Sequence, residues 1–104
     1  MKKFIPIEMD KVRNLRLGIN AICQIEDMTG KTITKLNENL GIKEFRIILY
    51  CALKWEDKSL TLDKVGELMD EVIEKKGIDY LNEKLAEVLE NSLGGTKKKM
   101  NQKV

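Results

Sequence analysis

The chain has 104 residues, of which 42% are hydrophobic and 35% charged, which bounds it to a single domain with a modest core. Its formal charge of +2 hides a division: residues 1–61 carry 11 basic and 8 acidic groups, residues 62–94 carry 4 and 9, and residues 95–104 carry 4 and none. The positive excess therefore belongs to the C-terminal end and not to a folded face, and no apolar run approaches the ~18 residues of a membrane span.

In chain order, Phe4 to Asp10 alternates loosely and contains the only proline, Pro6, which suits an edge strand. Asp10 to Asn14 reads as a turn, and Leu15-Arg-Leu17 as the returning strand of a small N-terminal β-hairpin. Gly18 to Thr29 carries Ile19, Ala21, Ile22, Cys23, Ile25 and Met28 as a wide apolar stripe, and Gly30 stands where a left-handed helix cap belongs. Thr32 or Thr34 can cap a short helix through Leu40, closed by Gly41. From Phe45 to Leu53 only Arg46 is charged, so a helix over 42–55 is apolar on nearly every side and must be wrapped by other elements.

Thr61 is placed to cap a fourth helix, with Asp63 at the positive end of its dipole and Lys75-Lys76 before Gly77 at the other. Its apolar positions, Leu62, Val65, Leu68, Met69, Val72 and Ile73, lie on one side. A fifth helix from Ile78 carries Leu81, Leu85, Val88, Leu89 and Leu93 on one side and Asn82, Glu83, Glu87 and Glu90 on the other, up to Gly94-Gly95. The expectation is a mainly α fold of about five helices around a central buried helix, in a domain over residues 1–94. Residues 95–104 hold too few apolar side chains to offset their ordering entropy and read as a disordered basic tail.

The chemistry-bearing residues are few. With no histidine, the commonest general base and metal ligand are missing, and Cys23 and Cys51 are too far apart for a ligand-spaced pair. Both cysteines sit among isoleucine, leucine and alanine, where a thiol is packing rather than a nucleophile. Adjacent acids at Glu26-Asp27, Glu56-Asp57 and Asp70-Glu71 point apart on a helix and form no acid and base couple. Gly94-Gly95 lacks the strand before and helix after it that a phosphate loop needs. No enzyme, cofactor or metal site is expected. A DNA-reading unit is disfavoured because the helix that would enter the groove, Asp79 to Glu90, is acidic. Met1 to Pro6 lacks the long apolar middle of a signal peptide, so an intracellular protein is expected.

Three segments, Asn14 to Gly30, Phe45 to Asp57 and Leu60 to Asp70, together resemble the tail assembly chaperones of long-tailed bacteriophages and prophages, close to the gene-transfer-agent type. In that family a strand leads into a helix ending in an acidic residue and glycine, an apolar helix ends in an acidic pair, and a helix of the Leu-Thr-x-x-x-Val-Gly-x-Leu-x-Asp kind follows. The likeness runs over about residues 13 to 93. It implies a non-enzymatic protein of the host bacterial cytoplasm that binds the tape measure protein and helps recruit tail tube protein. Alternatives are a head-to-tail joining or tail completion protein and a DNA-binding regulator. Candidate partner-binding residues are Trp55, Glu56 and Asp57 after the buried helix, Glu83, Glu87 and Glu90 on the last helix, and Lys97, Lys98 and Lys99 in the tail. Trp55 stands where many members carry histidine or another polar residue. The resemblance also implies a longer frameshifted form, for which the lysine codons at 97–99 could be the slip site.

Overall fold

The computed structural model describes residues 4–33 and 41–92. It is mainly helical, with a two-stranded antiparallel hairpin at the N-terminal end. The strands are β1 (Ile5–Glu8) and β2 (Val12–Leu15), paired from Ile5 opposite Leu15 to Glu8 opposite Val12. The returning strand thus begins three residues before the expected Leu15, and the turn shrinks to Met9–Lys11, closed by Met9 N–H donating to Lys11 C=O at 2.9 Å. Period-2 alternation explains the choice of register: Ile7, Arg13 and Leu15 all face inward and are buried.

Four helices follow among the described residues: α1 (Ile19–Thr29), α2 (Ile42–Leu53), α3 (Leu62–Lys76) and α4 (Ile78–Ser92). The short helix expected through Leu40, and the expected tail over 95–104, lie outside the described residues. Gly30 adopts the left-handed conformation at φ 73°, donating its N–H to Glu26 C=O, and so ends α1. Gly41 opens α2 by donating its N–H to the Glu44 carboxylate at 2.9 Å, one half of a capping box. Helix α2 stops at Leu53, two residues short of the expected Trp55, because Glu56 and Asp57 N–H groups both turn back onto Leu53 C=O. Thr61 caps α3 through its hydroxyl, which accepts from Lys64 N–H at 3.1 Å, and Gly77 at φ 88° is the single residue between α3 and α4.

Helix α2 touches β2 and each of the other three helices. Phe45, Ile48, Leu49, Cys51, Ala52 and Leu53 are buried along it, whereas α3 and α4 each bury four residues on one face. Those four-residue faces are Val65, Leu68, Met69 and Val72 on α3 and Leu81, Leu85, Val88 and Leu89 on α4, as the helical spacing predicts. Helix α1 departs from expectation. Only Ile25 is fully buried; Ile19 is 74% exposed, Met28 is partly exposed, and Cys23 lies in solvent instead of the core. Its main helical neighbour among the described residues is α2; Ala21 and Ile22 pack partly against the core, while Ile19, Cys23 and Met28 stay exposed.

Leu49 is fully buried at the middle of α2. Its replacement, Leu49→Ala, should lower unfolding free energy by about 3 kcal/mol, as large-to-small core changes do, and a urea titration followed by circular dichroism checks this. Burial also pushes the Cys51 thiol up to about 11, against a smaller opposing pull from Lys54. One thiol, Cys23, should therefore react with a thiol reagent at pH 8 in the native protein and two in denaturant, as counted by absorbance or mass.

Candidate partner-binding surfaces

The hairpin is fastened to the C-terminal end of α2 by a polar cluster centred on Arg13. Placed inward by the pleat of β2, Arg13 is 5% exposed and is the one buried charged side chain among the described residues. A buried guanidinium is tolerated only with its hydrogen bonds and its charge matched. Asp10 supplies a two-point match: Nε donates to Oδ1 at 2.8 Å and Nη2 to Oδ2 at 3.0 Å. Nη1 reaches across to Asp57 Oδ2 at 3.2 Å, just past α2. The hydrogen bond from Arg13 holds the Asp10 carboxyl down at about 2. Asp57 is also held low, first by the Ser59 hydroxyl at 2.6 Å and then by Arg13.

Glu56 completes the joint. Its carboxylate accepts from Asn14 Nδ2 at 2.9 Å and from Asn14 N–H at 3.0 Å, and the side-chain bond is the main reason its carboxyl is lowered. Asn14 N–H on β2 is thus taken up by an acidic side chain from beyond the neighbouring helix end. Trp55 Nε1 donates to Asn14 C=O at 2.8 Å. The Trp55 ring, 39% exposed, stacks on Phe4 with centroids 6.3 Å apart, and the Arg16 guanidinium lies 5.5 Å from its centre. The structure thus brings together Trp55, Glu56 and Asp57, but their polar atoms are turned inward to hold the hairpin. What they leave for a partner is the Phe4–Trp55–Arg16 surface.

Sequence reasoning missed Arg13, Asp10 and Asn14, because a turn over 10–14 placed them in solvent. The signal that could have found them is the alternation Arg13, Leu15, Leu17, which continues inward once the strand starts at Val12. Of the remaining candidates, Glu83 and Glu87 are exposed on α4 and Glu90 is half-buried. Glu87 approaches Lys84 of its own helix at 3.8 Å. Lys97, Lys98 and Lys99 lie outside the described residues. No group of histidine, cysteine, aspartate and glutamate suited to a metal ion occurs among the described residues.

A second surface was not anticipated. Between α2 and α3 runs an open groove of about 560 Å³, whose lining includes Ile42, Arg46, Gly66, Met69 and Ile73. Its α3 edge carries Asp63, Glu67 and Asp70, continued by Glu74. The 4-3-4 spacing sets these four on one helical stripe, and all are exposed. Gly66 interrupts α3, at a cost of about 1 kcal/mol relative to alanine in a helix interior.

No family model, curated protein or solved structure matches the chain. The candidate surfaces are accordingly argued from this chain's own residues.

All three carboxyls of the Arg13 joint have folded values below their ordinary ones near 4. The unfolded chain therefore takes up protons first as pH falls, and stability present above about pH 5 is lost as pH falls toward about 2. Melting temperature should drop through that window. Arg13→Met should melt lower at pH 7 and show a flatter acid profile between pH 4 and 2, measured by circular dichroism and by emission of the lone tryptophan.

Proposed function

We infer that the protein is a tail assembly chaperone of a long-tailed bacteriophage or prophage, working in the bacterial cytoplasm without catalysis. It binds the tape measure protein and helps bring tail tube subunits to it. The observation that carries this reading is the ordered succession of three segments over residues 13 to 93: a strand entering a glycine-ended helix, an apolar helix ending at Glu56-Asp57, and the Leu60-Thr-Leu-Asp-Lys-Val-Gly-Glu-Leu-Met-Asp70 helix.

Element order lends support. Strand β2, the Gly30-capped α1, the buried α2 and the Thr61-capped α3 follow one another as that succession requires. The five-helix arrangement about α2, with a short helix before Gly41, belongs to the same proposal. Exposed apolar side chains at Ile19 and Ile42, together with the Phe4–Trp55 pair, offer separate small contact points. Many modest contacts suit the coating of a long chain better than one tight site does, since linked weak sites gain by avidity.

Co-expression with the cognate tape measure protein should keep that long chain in the soluble fraction, and the two should copurify. Duplex DNA should not retain the protein at moderate salt. A stable ring that ignores the tape measure protein would replace this reading with the joining protein.

A further inference from the structure

Gly66 is the residue that the fold does not explain. It lies mid-helix in α3, where a Cβ would meet only the Arg46 side chain, at 3.5 Å from Cδ and 3.8 Å from Nη1. The nearer distance is an ordinary van der Waals contact, so alanine would fit and would strengthen the helix. The chain instead lets the Arg46 side chain lie against the Gly66 backbone in a groove. On one side of that groove the exposed carboxylates of Asp63, Glu67 and Asp70 stand in line. Of the three, Glu67 forms an ion pair among the described residues, with Lys64 at 3.9 Å, and both of those side chains are largely in solvent. On the other side Arg46 is half-buried and forms no ion pair among the described residues. Ile42, 61% exposed at the start of α2, and the half-buried Ile73 give the open end an apolar lining.

Acids along one rim, with Lys43 and an Arg46 that forms no ion pair among the described residues along the other, have a definite complement. We propose that the groove between α2 and α3 docks an amphipathic helix of a partner protein, one with an apolar stripe edged by lysine or arginine on one side and by glutamate or aspartate on the other. The apolar stripe sits on Ile42 and Ile73. The basic edge meets Asp63, Glu67 and Asp70. The acidic edge supplies the carboxylate that Arg46 lacks. This deepens the chaperone reading by giving it a docking surface, and rests on that reading only for which protein carries the helix.

The probe is a synthetic 20-residue amphipathic helix with leucines on its apolar stripe, lysines along one edge and glutamates along the other, titrated into the isotope-labelled full chain. Amide shifts should concentrate in residues 42–46 and 63–73, and a peptide with glutamate on both edges should bind about tenfold more weakly or worse. Gly66→Ala should raise the melting temperature by ~5 °C, while Gly66→Leu fills the groove and should weaken the probe at least about tenfold. Should Gly66→Leu fail to fold, the surface double change Glu67→Lys with Asp70→Lys carries the same test. Shifts that fall elsewhere, or binding that neither variant weakens, would overturn the proposal. Copurification of the tape measure protein is scored separately. If it binds the parent and the groove variants equally, the groove is wrong and the chaperone reading stands; if the probe docks as described and the tape measure protein does not bind, the groove stands and that reading falls.

Discussion

The fold depends on how the guanidinium of Arg13 is matched. A two-stranded hairpin is marginal alone, and this one is held by charge as much as by apolar contact. Asp10, from the hairpin's own turn, fixes the fork of Arg13 from within, and Asp57, from beyond α2, fixes it from without. Around that pair, Glu56 accepts the Asn14 N–H, Trp55 Nε1 donates to the Asn14 carbonyl, and Arg16 N–H donates to Ala52 C=O at 3.1 Å. The last of these satisfies one of the carbonyls that a helix end leaves open. Removing Arg13 alone would strand two carboxylates shaped around it, which is costlier than never having built the pair.

Helical periodicity made most of the architecture legible before any coordinates. The buried faces of α3 and α4, the Thr61 cap, and the left-handed Gly30 each follow from a local rule whose partners lie within a few residues. The errors arose where the outcome depends on distant groups. Reading Asp10 to Asn14 as a turn was reasonable for those residue types. Asp57, 44 positions from Arg13, is what makes an inward-facing arginine tolerable there. Cys23 was misplaced for a related reason: an apolar stripe indicates which residues could be covered, while the number and placement of neighbouring elements decide which are. For α1 the main described helical neighbour is α2; Ile25 is fully buried there and Ala21 and Ile22 are partly covered.

The acidic pair after the buried helix illustrates how partner-binding and structural roles compete for the same residues. Glu56 and Asp57 looked available because adjacent acids are usually solvated. In the folded chain each accepts from named donors on β2 or its own loop. The acids of α3 present the reverse case. Asp63 is legible in the sequence as a charge at the positive end of a helix dipole and Asp70 as half of an adjacent acidic pair; the position of Arg46 beside Gly66 shows that, with Glu67, they form one rim of a groove.

One further contact bears on how the chain comes to be folded at all. Glu8 N–H donates to the Tyr80 hydroxyl at 3.0 Å across 72 positions, and Lys76 reaches the Glu8 carboxylate at 3.2 Å. The first strand therefore finishes its packing on the last described helix. During synthesis from the N-terminus, α1 and α2 can pair and β2 can dock while the chain is still growing, but the described partners of β1 on that side come only with Lys76 at the end of α3 and with α4. At about 5–20 residues per second, the hairpin waits seconds with one edge unsealed. A nascent chain of this design closes its hairpin on the last helix among the described residues.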